Sequence, residues 1–246
     1  MITKLAGRQM AAITNHLIDI IPLNERRRLL NICECVNLRV SEVLADSATI
    51  TRHVYFPTDS FLALCTSLDD LPVLELGMIG SEGMLGTQIA LGVPQGGLHA
   101  RVMGEGSAWR MTTAQFKEEL NRSKGLRHSL NRYLQVTMLQ LASVARCLRF
   151  HDIDHRLARW LLMTHDRAHE DTFDVTQESI ATRLGVRRVS ITQAATGLQR
   201  RGVIAYARGE VTVIDRSALE KAACSCYAAD QRCYSKYLSA RATCND

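Results

Sequence analysis

The chain has 246 residues, of which 46% are hydrophobic and 22% are charged. These fractions are near globular averages and exclude a disordered chain, while the length suits one large domain or two small ones. Since no stretch approaches the ~20 apolar residues of a membrane span, we expect a cytoplasmic protein with no membrane partner. The formal net charge of +5 is modest, so its location matters more than its total.

The first region, residues 1–116, combines short helical patterns with strand patterns. Helices are predicted at about 10–20 and at 22–34, where Pro22 suits a helix entrance. Apolar residues then alternate as in half-buried strands, at Val36, Leu38, Val40, Val54, Phe56, Leu74, Leu76 and Met78. Nine of the 15 glycines lie within residues 77–106, a density typical of tight turns in compact β structure. We therefore predict a small antiparallel roll.

Residues 117–151 are predicted to form a long helix and a hinge, with the helical pattern running over about 115–149. Its apolar side chains recur at alternating steps of four and three, which is typical of the narrow seam between two packed helices. The seam consists of Leu130, Leu134, Thr137, Leu141, Val144 and Leu148. The pattern favours a dimer interface, and packing of the helix on its own domain is the alternative.

Residues 152–220 have the order of elements of a winged helix-turn-helix. The predicted elements are an amphipathic helix at 154–166, a short helix at 176–184, a second helix at about 188–201, and strands at 203–207 and 210–214. Thr176 is a suitable N-cap, and Gly185 stands where the first short helix must stop. Arg208 and Gly209 lie between the two strands and predict a short hairpin.

The charge pattern supports this prediction. Between residues 179 and 209 there are six arginines and no acidic residue, namely Arg183, Arg187, Arg188, Arg200, Arg201 and Arg208. A basic segment without acids attracts a polyanion, because neutralised phosphates release their counterions. The arginine guanidinium also binds phosphate and guanine in a bidentate manner. A merely solvated basic face is the alternative, but the arginines coincide with the predicted second helix and hairpin.

The sequence resembles the CRP/FNR family of bacterial transcription regulators over about residues 15–220. The resemblance is strongest in TQESIATRLGVRRVSITQ (176–193) and LQRRGVI (198–204), and extends to HVYFP (53–57), GSEGMLG (80–86) and RLARWLL (156–162). It implies an α+β protein with an N-terminal antiparallel β-roll of the cupin-like jelly-roll type, a long dimerisation helix and a C-terminal winged helix-turn-helix. It also implies a homodimer that binds double-stranded DNA at a near-palindromic operator and contacts RNA polymerase, as an activator or a repressor.

The resemblance assigns candidate DNA contacts residue by residue. The candidates are Thr176, Gln177, Arg187, Arg188, Val189, Ser190, Gln193, Arg200 and Arg208. Arg188, Val189 and Gln193 align with the base-reading Arg-Glu-x-x-x-Arg of the cyclic AMP receptor branch. Since Val189 cannot accept a hydrogen bond from cytosine, we expect a different operator sequence. Arg187 stands at the N-cap position of this helix, for which it is a poor residue.

The effector site departs from the cyclic AMP receptor branch as well. Thr87 occupies the position of the ribose-binding glutamate, and residues 97–100 stand where the phosphate-binding arginine motif would be. Leu98 cannot neutralise a phosphate, and His99 and Arg101 do not match the motif. We therefore expect weak or no cyclic-nucleotide binding, no cofactor and a signal that the sequence does not identify. The candidate pocket residues are Gly83, Gly86, Thr87, Gln88, Leu98, His99 and Arg101.

Residues 221–246 form a tail with four of the eight cysteines, Cys224, Cys226, Cys233 and Cys244. One interpretation is a thiol redox or metal sensor. The favoured one is a final amphipathic helix with Leu219, Ala223, Cys226, Cys233 and Tyr237 on one face. No C-x-x-C is present, so the sequence predicts no structural zinc site. We also expect no metal at the histidine pairs 151/155 and 165/169, and no iron–sulfur cluster.

The sequence favours a regulator over an enzyme, because a nucleophile, a base and a phosphate-binding loop do not occur together. Ser81 lies in a Gly-Ser-Glu-Gly context but lacks the spacing of a nucleophile elbow. The alternative function is a β-roll ligand-binding module, or a thiol- or metal-responsive sensor, whose basic C-terminal domain contacts RNA or protein.

Overall fold

The computed structural model describes residues 15–66 and 73–239. The helices of this part are α1 (His16–Asp19), α2 (Leu23–Ile32), α3 (Thr113–Arg122), α4 (Lys124–Phe150), α5 (Ile153–Ala168), α6 (Gln177–Leu184), α7 (Arg188–Arg200), α8 (Arg216–Ala222) and α9 (Ser225–Leu238). The strands are β1 (Glu34–Leu38), β2 (Val43–Ala45), β3 (His53–Pro57), β4 (Phe61–Thr66), β5 (Leu74–Ile79), β6 (His99–Gly104), β7 (Gly106–Thr112), β8 (Thr172–Asp174), β9 (Ile204–Ala207) and β10 (Glu210–Val213). No helix of the described part combines the length and apolar content needed to cross a bilayer.

The predicted β-roll is confirmed as two antiparallel sheets, in the orders β1-β7-β3 and β2-β6-β4-β5. Their inner faces form an apolar core in which Leu62, Ala100 and Val102 are at most 1% exposed. The alternation predicted through Val40 was wrong at that residue, because β1 ends at Leu38 and Val40 is 55% exposed. Of the helix predicted at 10–20, residues 16–19 are helical and 10–14 lie outside the described residues.

The single helix predicted over 115–149 is two helices. Ser123 ends α3 and caps α4, where its hydroxyl accepts a hydrogen bond from the Leu126 N–H at 3.0 Å. Glu25 of α2 accepts from the Ser123 hydroxyl and from the Gly125 N–H. A serine side chain competes for backbone donors and so favours a cap over a helix interior, a local effect that the apolar periodicity does not reveal.

The C-terminal region is a winged helix-turn-helix built from α5, α6, α7 and the sheet β8-β10-β9. Strand β8 was not predicted, because it has three residues and pairs with β10 only in the tertiary fold. Phe61 and Met78 of the roll belong to the apolar core of this region. The roll and the winged helix therefore share buried surface.

The single tail helix was wrong, because α8 ends at Ala222 and α9 begins at Ser225. Helix α9 turns back and packs along α4. Arg159 of α5 and Asp230 of α9 form a salt bridge at 2.7 Å, with both side chains about nine-tenths buried. The tail up to residue 239 is therefore an integral part of the fold, while Cys244 lies outside the described residues.

Candidate nucleic-acid interface

Local hydrogen bonds fix the geometry of α6, the turn and α7. The Thr176 hydroxyl accepts from the Ser179 N–H at 3.1 Å, which confirms the predicted N-cap. Gly185 has a φ of +64° at the end of α6, a left-handed conformation that favours glycine. The Thr192 hydroxyl donates to the Gln177 side-chain oxygen at 2.6 Å and so joins the two helices.

The inner face of α7 determines which side chains point away from the protein. Ile191, Ala194, Ala195 and Leu198 are at most 3% exposed and lie in the apolar core. Of the three predicted base readers, Val189 and Gln193 lie on the opposite face and Arg188 is the first residue of α7, and all three are exposed. Val189 is 61% exposed, so its side chain is accessible to a partner.

The arginines predicted to contact DNA extend over the same surface. Arg187, Arg188, Arg200 and Arg208 are exposed, and within the described residues none of them forms an ion pair. Their charges are therefore not neutralised by neighbouring carboxylates. Arg187 makes no side-chain cap for α7, as the sequence predicted.

Arg183 is an exception in the basic segment. Its guanidinium forms a salt bridge of 2.9 Å with Glu75 of β5, and the two side chains are 14% and 4% exposed. Arg201 also engages its own helix, because its Nε donates to the Gly197 carbonyl at 3.3 Å. The segment therefore offers fewer free guanidinium groups than its composition suggests.

The wing is attached to the start of α6. The Val175 N–H donates to the Gly209 carbonyl at 2.7 Å, and the Tyr206 hydroxyl donates to the Val175 carbonyl at the same distance. Arg208 and Gly209 have φ values of +54° and +84°, so the hairpin turn presents Arg208 at its tip. These bonds bring Arg208 to the same side as the N-terminus of α6.

Three other predicted contacts have constrained side chains. The Thr176 hydroxyl is used as the cap of α6, the Gln177 oxygen accepts from Thr192, and Ser190 is half-buried. Thr176, Gln177 and Ser190 lie in the first turns or at the caps of α6 and α7. The Ser190 N–H already donates to the Arg187 carbonyl at 2.9 Å. The backbone N–H of Gln177, in the first turn of α6, is suited to an anion because helix N-termini carry unpaired donors.

The candidate effector residues do not converge. The Gln88 side chain donates to the Thr51 hydroxyl at 2.9 Å, and His99 lies 3.2 Å from the Ser47 hydroxyl. Gly86 is buried with a φ of +100°, and Thr87 begins a 3-10 helix. Of the seven candidates, His99 and Arg101 line a cavity of about 490 Å³ between the roll and α6.

Gly83 is packed against the long helix. A Cβ at this position would lie 2.1 Å from the hydroxyl oxygen of Tyr133. Tyr133 is 4% exposed, and burial raises its pKa well above the ordinary value. The space beside Gly83 is thus filled by a side chain of α4.

The predicted seam of α4 requires one correction. Leu130 is 1% exposed and packs inside its own protomer with Leu17 and Phe116, so it has no surface to offer a partner. Leu134 packs at the edge of the same core, and Thr137 and Val144 are half-buried. The rest of the seam remains accessible, since Leu141 and Leu148 are 42% and 39% exposed.

Sequence reasoning missed two groups of residues that the fold brings together. Glu75 accepts hydrogen bonds from Arg183 and from the indole N–H of Trp160, at 2.9 and 3.0 Å. A second group consists of Cys147, His151, Cys224 and Cys226, whose donor atoms lie within 4.8 Å of one another. Neither group is contiguous in sequence. The spacing of four between Cys147 and His151, which places both on one helix face, is a local signal for the second group.

Comparison with known proteins agrees with this architecture. Residues 155–222 match the family model of the Crp-like helix-turn-helix domain. No curated protein sequence matches the chain. The resemblance to the CRP/FNR family is thus supported in its most specific part by a sequence-based match.

Solved structures resemble the fold over most of the chain. FixK2 from Bradyrhizobium japonicum is 14% identical with a TM-score of 0.66, covering 78% of this chain and 98% of that one. A CRP family transcriptional regulator from Thermus thermophilus is 22% identical with a TM-score of 0.64, covering 76% and 96%. A CRP/FNR family regulator from the same organism is 16% identical with a TM-score of 0.57, covering 77% and 98%. The resemblance is confirmed at the level of the fold: the chain has the fold of the CRP/FNR regulators, and its residues 155–222 match the Crp-like helix-turn-helix domain.

Proposed function

We propose that the protein is a transcription regulator that binds double-stranded DNA through α7 and the wing. The observation that carries this proposal is the exposure of Arg187 and Arg188 at the start of α7 and of Val189 and Gln193 on its outward face, while the opposite face is buried. An α-helix fits the major groove, where an arginine fork can bind the O6 and N7 of guanine. Arg200 and Arg208 lie at the ends of the same surface and suit phosphates, which set register.

We propose a homodimer formed through α4. The accessible part of the seam, Leu141 and Leu148, is joined by the neighbouring Met138, which is 63% exposed. Large apolar side chains at this spacing support the packing of two helices. A two-fold axis would place two recognition helices about 34 Å apart, on successive turns of one DNA face. RNA polymerase is proposed as a further partner on the family resemblance alone.

Cyclic nucleotides are proposed to bind weakly or not at all. Tyr133 fills the space next to Gly83, and the seven candidate pocket residues do not line one cavity. Calorimetric titration with cyclic AMP and cyclic GMP should give no submicromolar affinity. A submicromolar dissociation constant for either nucleotide would contradict this part of the proposal.

The DNA-binding proposal is tested by the salt dependence of binding. Fluorescence anisotropy with a labelled duplex pool should show affinity that falls steeply as salt rises, since each phosphate contact releases counterions. A labelled single-stranded RNA of equal length is the control, and it separates this proposal from an RNA-binding module. Equal affinity for the RNA, or no binding to duplex at low salt, would contradict the proposal.

A further inference from the structure

Four side chains that are typical metal ligands meet where α9 begins and α4 ends. Cys147 and His151 come from the end of α4, and Cys224 and Cys226 from the start of α9. All four donor atoms lie within 4.8 Å of one another. The three cysteines are at most 6% exposed, and Cys147 and Cys224 are 77 residues apart in sequence. The packing of α9 on α4 therefore creates the cluster.

The distances suit a single tetrahedral ion. The sulfurs of Cys147 and Cys224 are 3.6 Å apart, and the Cys226 sulfur is 3.7 Å from Nδ1 of His151. Zinc bonds of about 2.3 Å to sulfur and about 2.0–2.1 Å to nitrogen place neighbouring donors roughly 3.5–3.8 Å apart in a tetrahedron. An iron–sulfur cluster separates its thiolates by a core of several iron and sulfide atoms, so donors this close fit one ion better.

The local backbone leaves these donors free to bind. The His151 N–H donates to the Cys147 carbonyl at 3.1 Å, which closes the last turn of α4 and keeps the two side chains on one face. Cys224 is the N-cap residue of α9, but its side chain makes no capping hydrogen bond. Its sulfur is therefore directed toward the cluster rather than used to stabilise the helix.

The surroundings compensate the charge of such a site. Three thiolates exceed the charge of Zn²⁺ by one negative unit. Arg156 and Arg159 both place positive charge near Cys147 and Cys224. Arg159 is 8% exposed and shares its charge with Asp230, whereas Arg156 forms no ion pair in the described part of the chain. The Nε of Arg159 is buried without a hydrogen-bond partner in the described part of the chain, while its Nη2 donates to Asp230 at 2.7 Å. Groups that hydrogen-bond to metal ligands orient those ligands and tune the metal site, and a buried donor next to metal-bound thiolates is suited to this.

We propose that Cys147, His151, Cys224 and Cys226 bind one structural zinc ion that fastens α9 to the end of α4. Four protein ligands complete the coordination and leave no open position for a substrate, which is typical of structural zinc. The site adjoins Asp152, the N-cap of α5, so the ion also stabilises the junction at which the DNA-binding region begins. The sequence predicted no metal, because the ligands are divided between distant segments.

The test is the zinc content of the full chain, purified under reducing conditions and measured by mass spectrometry. We expect about one zinc per chain in the wild type and in Cys233→Ala, a control on the same helix that lies outside the cluster. Cys226→Ala should lose the zinc. Zinc retained by Cys226→Ala at the wild-type level, or a wild type that takes up none when zinc is supplied, overturns the proposal.

A second measurement keeps the proposal testable if Cys226→Ala folds poorly. Exchange of the wild-type protein into Co²⁺ should give the visible bands of a tetrahedral ion together with thiolate charge-transfer absorption. A chelator should lower the melting temperature of the wild type and of Cys233→Ala. An octahedral cobalt spectrum, a brown iron–sulfur chromophore, or a disulfide between Cys147 and Cys224 in the reduced preparation overturns the assignment.

Discussion

Arg183 in the first helix of the helix-turn-helix donates a hydrogen bond to Glu75 of the β-roll across 2.9 Å. The carboxylate also accepts from Trp160, and its side chain is 4% exposed. Burial raises the pKa of Glu75, and the charge of Arg183 acts in the opposite direction. A buried polar contact therefore helps to fix the orientation of the winged helix on the roll, together with the apolar core that the two share.

Removal of the cation from this contact should be strongly destabilising. Arg183→Met leaves Glu75 buried without its cation, and we expect a loss of ~3–5 kcal/mol in the free energy of unfolding by urea. The double variant Arg183→Met/Glu75→Gln should regain most of that loss, because the buried charge is gone. Arg200→Met, at an exposed arginine on α7, is the control. A loss below ~1 kcal/mol for Arg183→Met would contradict the account.

The pH dependence of stability should report Glu75. Since its pKa is raised in the folded state, the folded protein favours the protonated form, and ionisation costs stability as pH rises from the ordinary glutamate value of 4.5. Glu75→Gln resembles the protonated form, so its stability relative to the wild type should increase with pH. Urea unfolding between about pH 4 and about pH 8 measures this difference. If the stability of Glu75→Gln relative to the wild type stays constant or falls as pH rises, the pKa of Glu75 is not raised in the folded protein.

The sequence predicted the fold wherever local chemistry decides it. Thr176 as a cap and Gly185 as a stop are local signals, and both are confirmed. The Ser123 break and the three-residue strand β8 were missed, because one depends on a side-chain cap and the other on tertiary pairing. Leu130 was assigned to a dimer seam because periodicity does not distinguish a partner helix from the protein's own core.

The functional sites were predictable only where local periodicity decides them, because contacts between distant segments leave no local signal. The exposed face of α7 follows from its helical period, so its residues could be named from the sequence. The Glu75–Arg183 pair and the cysteine cluster could not, because each joins segments that are far apart in the chain. Because Glu75 is distant in the sequence, Arg183 was grouped with the arginines expected to attract a polyanion.

Substitution of Gly83 should test the packing of α4 on the roll. In Gly83→Ala the new Cβ would lie 2.1 Å from the Tyr133 hydroxyl oxygen, so we expect overpacking to cost ~1–3 kcal/mol in thermal or urea unfolding. Gly77→Ala in β5 is the matched control, because a Cβ there would have no described atom within 4 Å. Adding Tyr133→Leu to Gly83→Ala should recover part of the loss. Equal stability of the two alanine variants would be evidence against the contact.

A charge in the accessible seam should separate the dimer. Leu141 is 42% exposed in the protomer, and Leu141→Glu would bury an unpaired carboxylate at the proposed interface. We expect the dimer dissociation constant to rise by roughly 100-fold or more in sedimentation equilibrium. His128→Glu places the same charge on an exposed position elsewhere on α4 and should leave the constant unchanged. If Leu141→Glu dimerises over the same concentration range as the wild type, this seam is not the dimer interface.

Arg188 and Arg200 should affect DNA binding differently. Arg188→Ala should cost ~1–3 kcal/mol on the preferred duplex and relax the selectivity at one base pair, because it removes a base-reading guanidinium. Arg200→Ala should weaken binding to all duplexes about equally and reduce the salt slope by about one phosphate contact. Footprinting and salt titrations of both variants measure the two effects. The assignment fails if Arg188→Ala keeps full selectivity.

Sequence-specific DNA binding by α7 and the wing is tested most directly by selection from a random duplex library with the full-length protein, followed by sequencing of the bound DNA. We expect an enriched near-palindromic sequence whose half-sites are one helical turn apart, about 34 Å, and a weaker preference for it in Arg188→Ala. Bound DNA with no common sequence, or no recovery of duplex at low ionic strength, would contradict sequence-specific DNA binding.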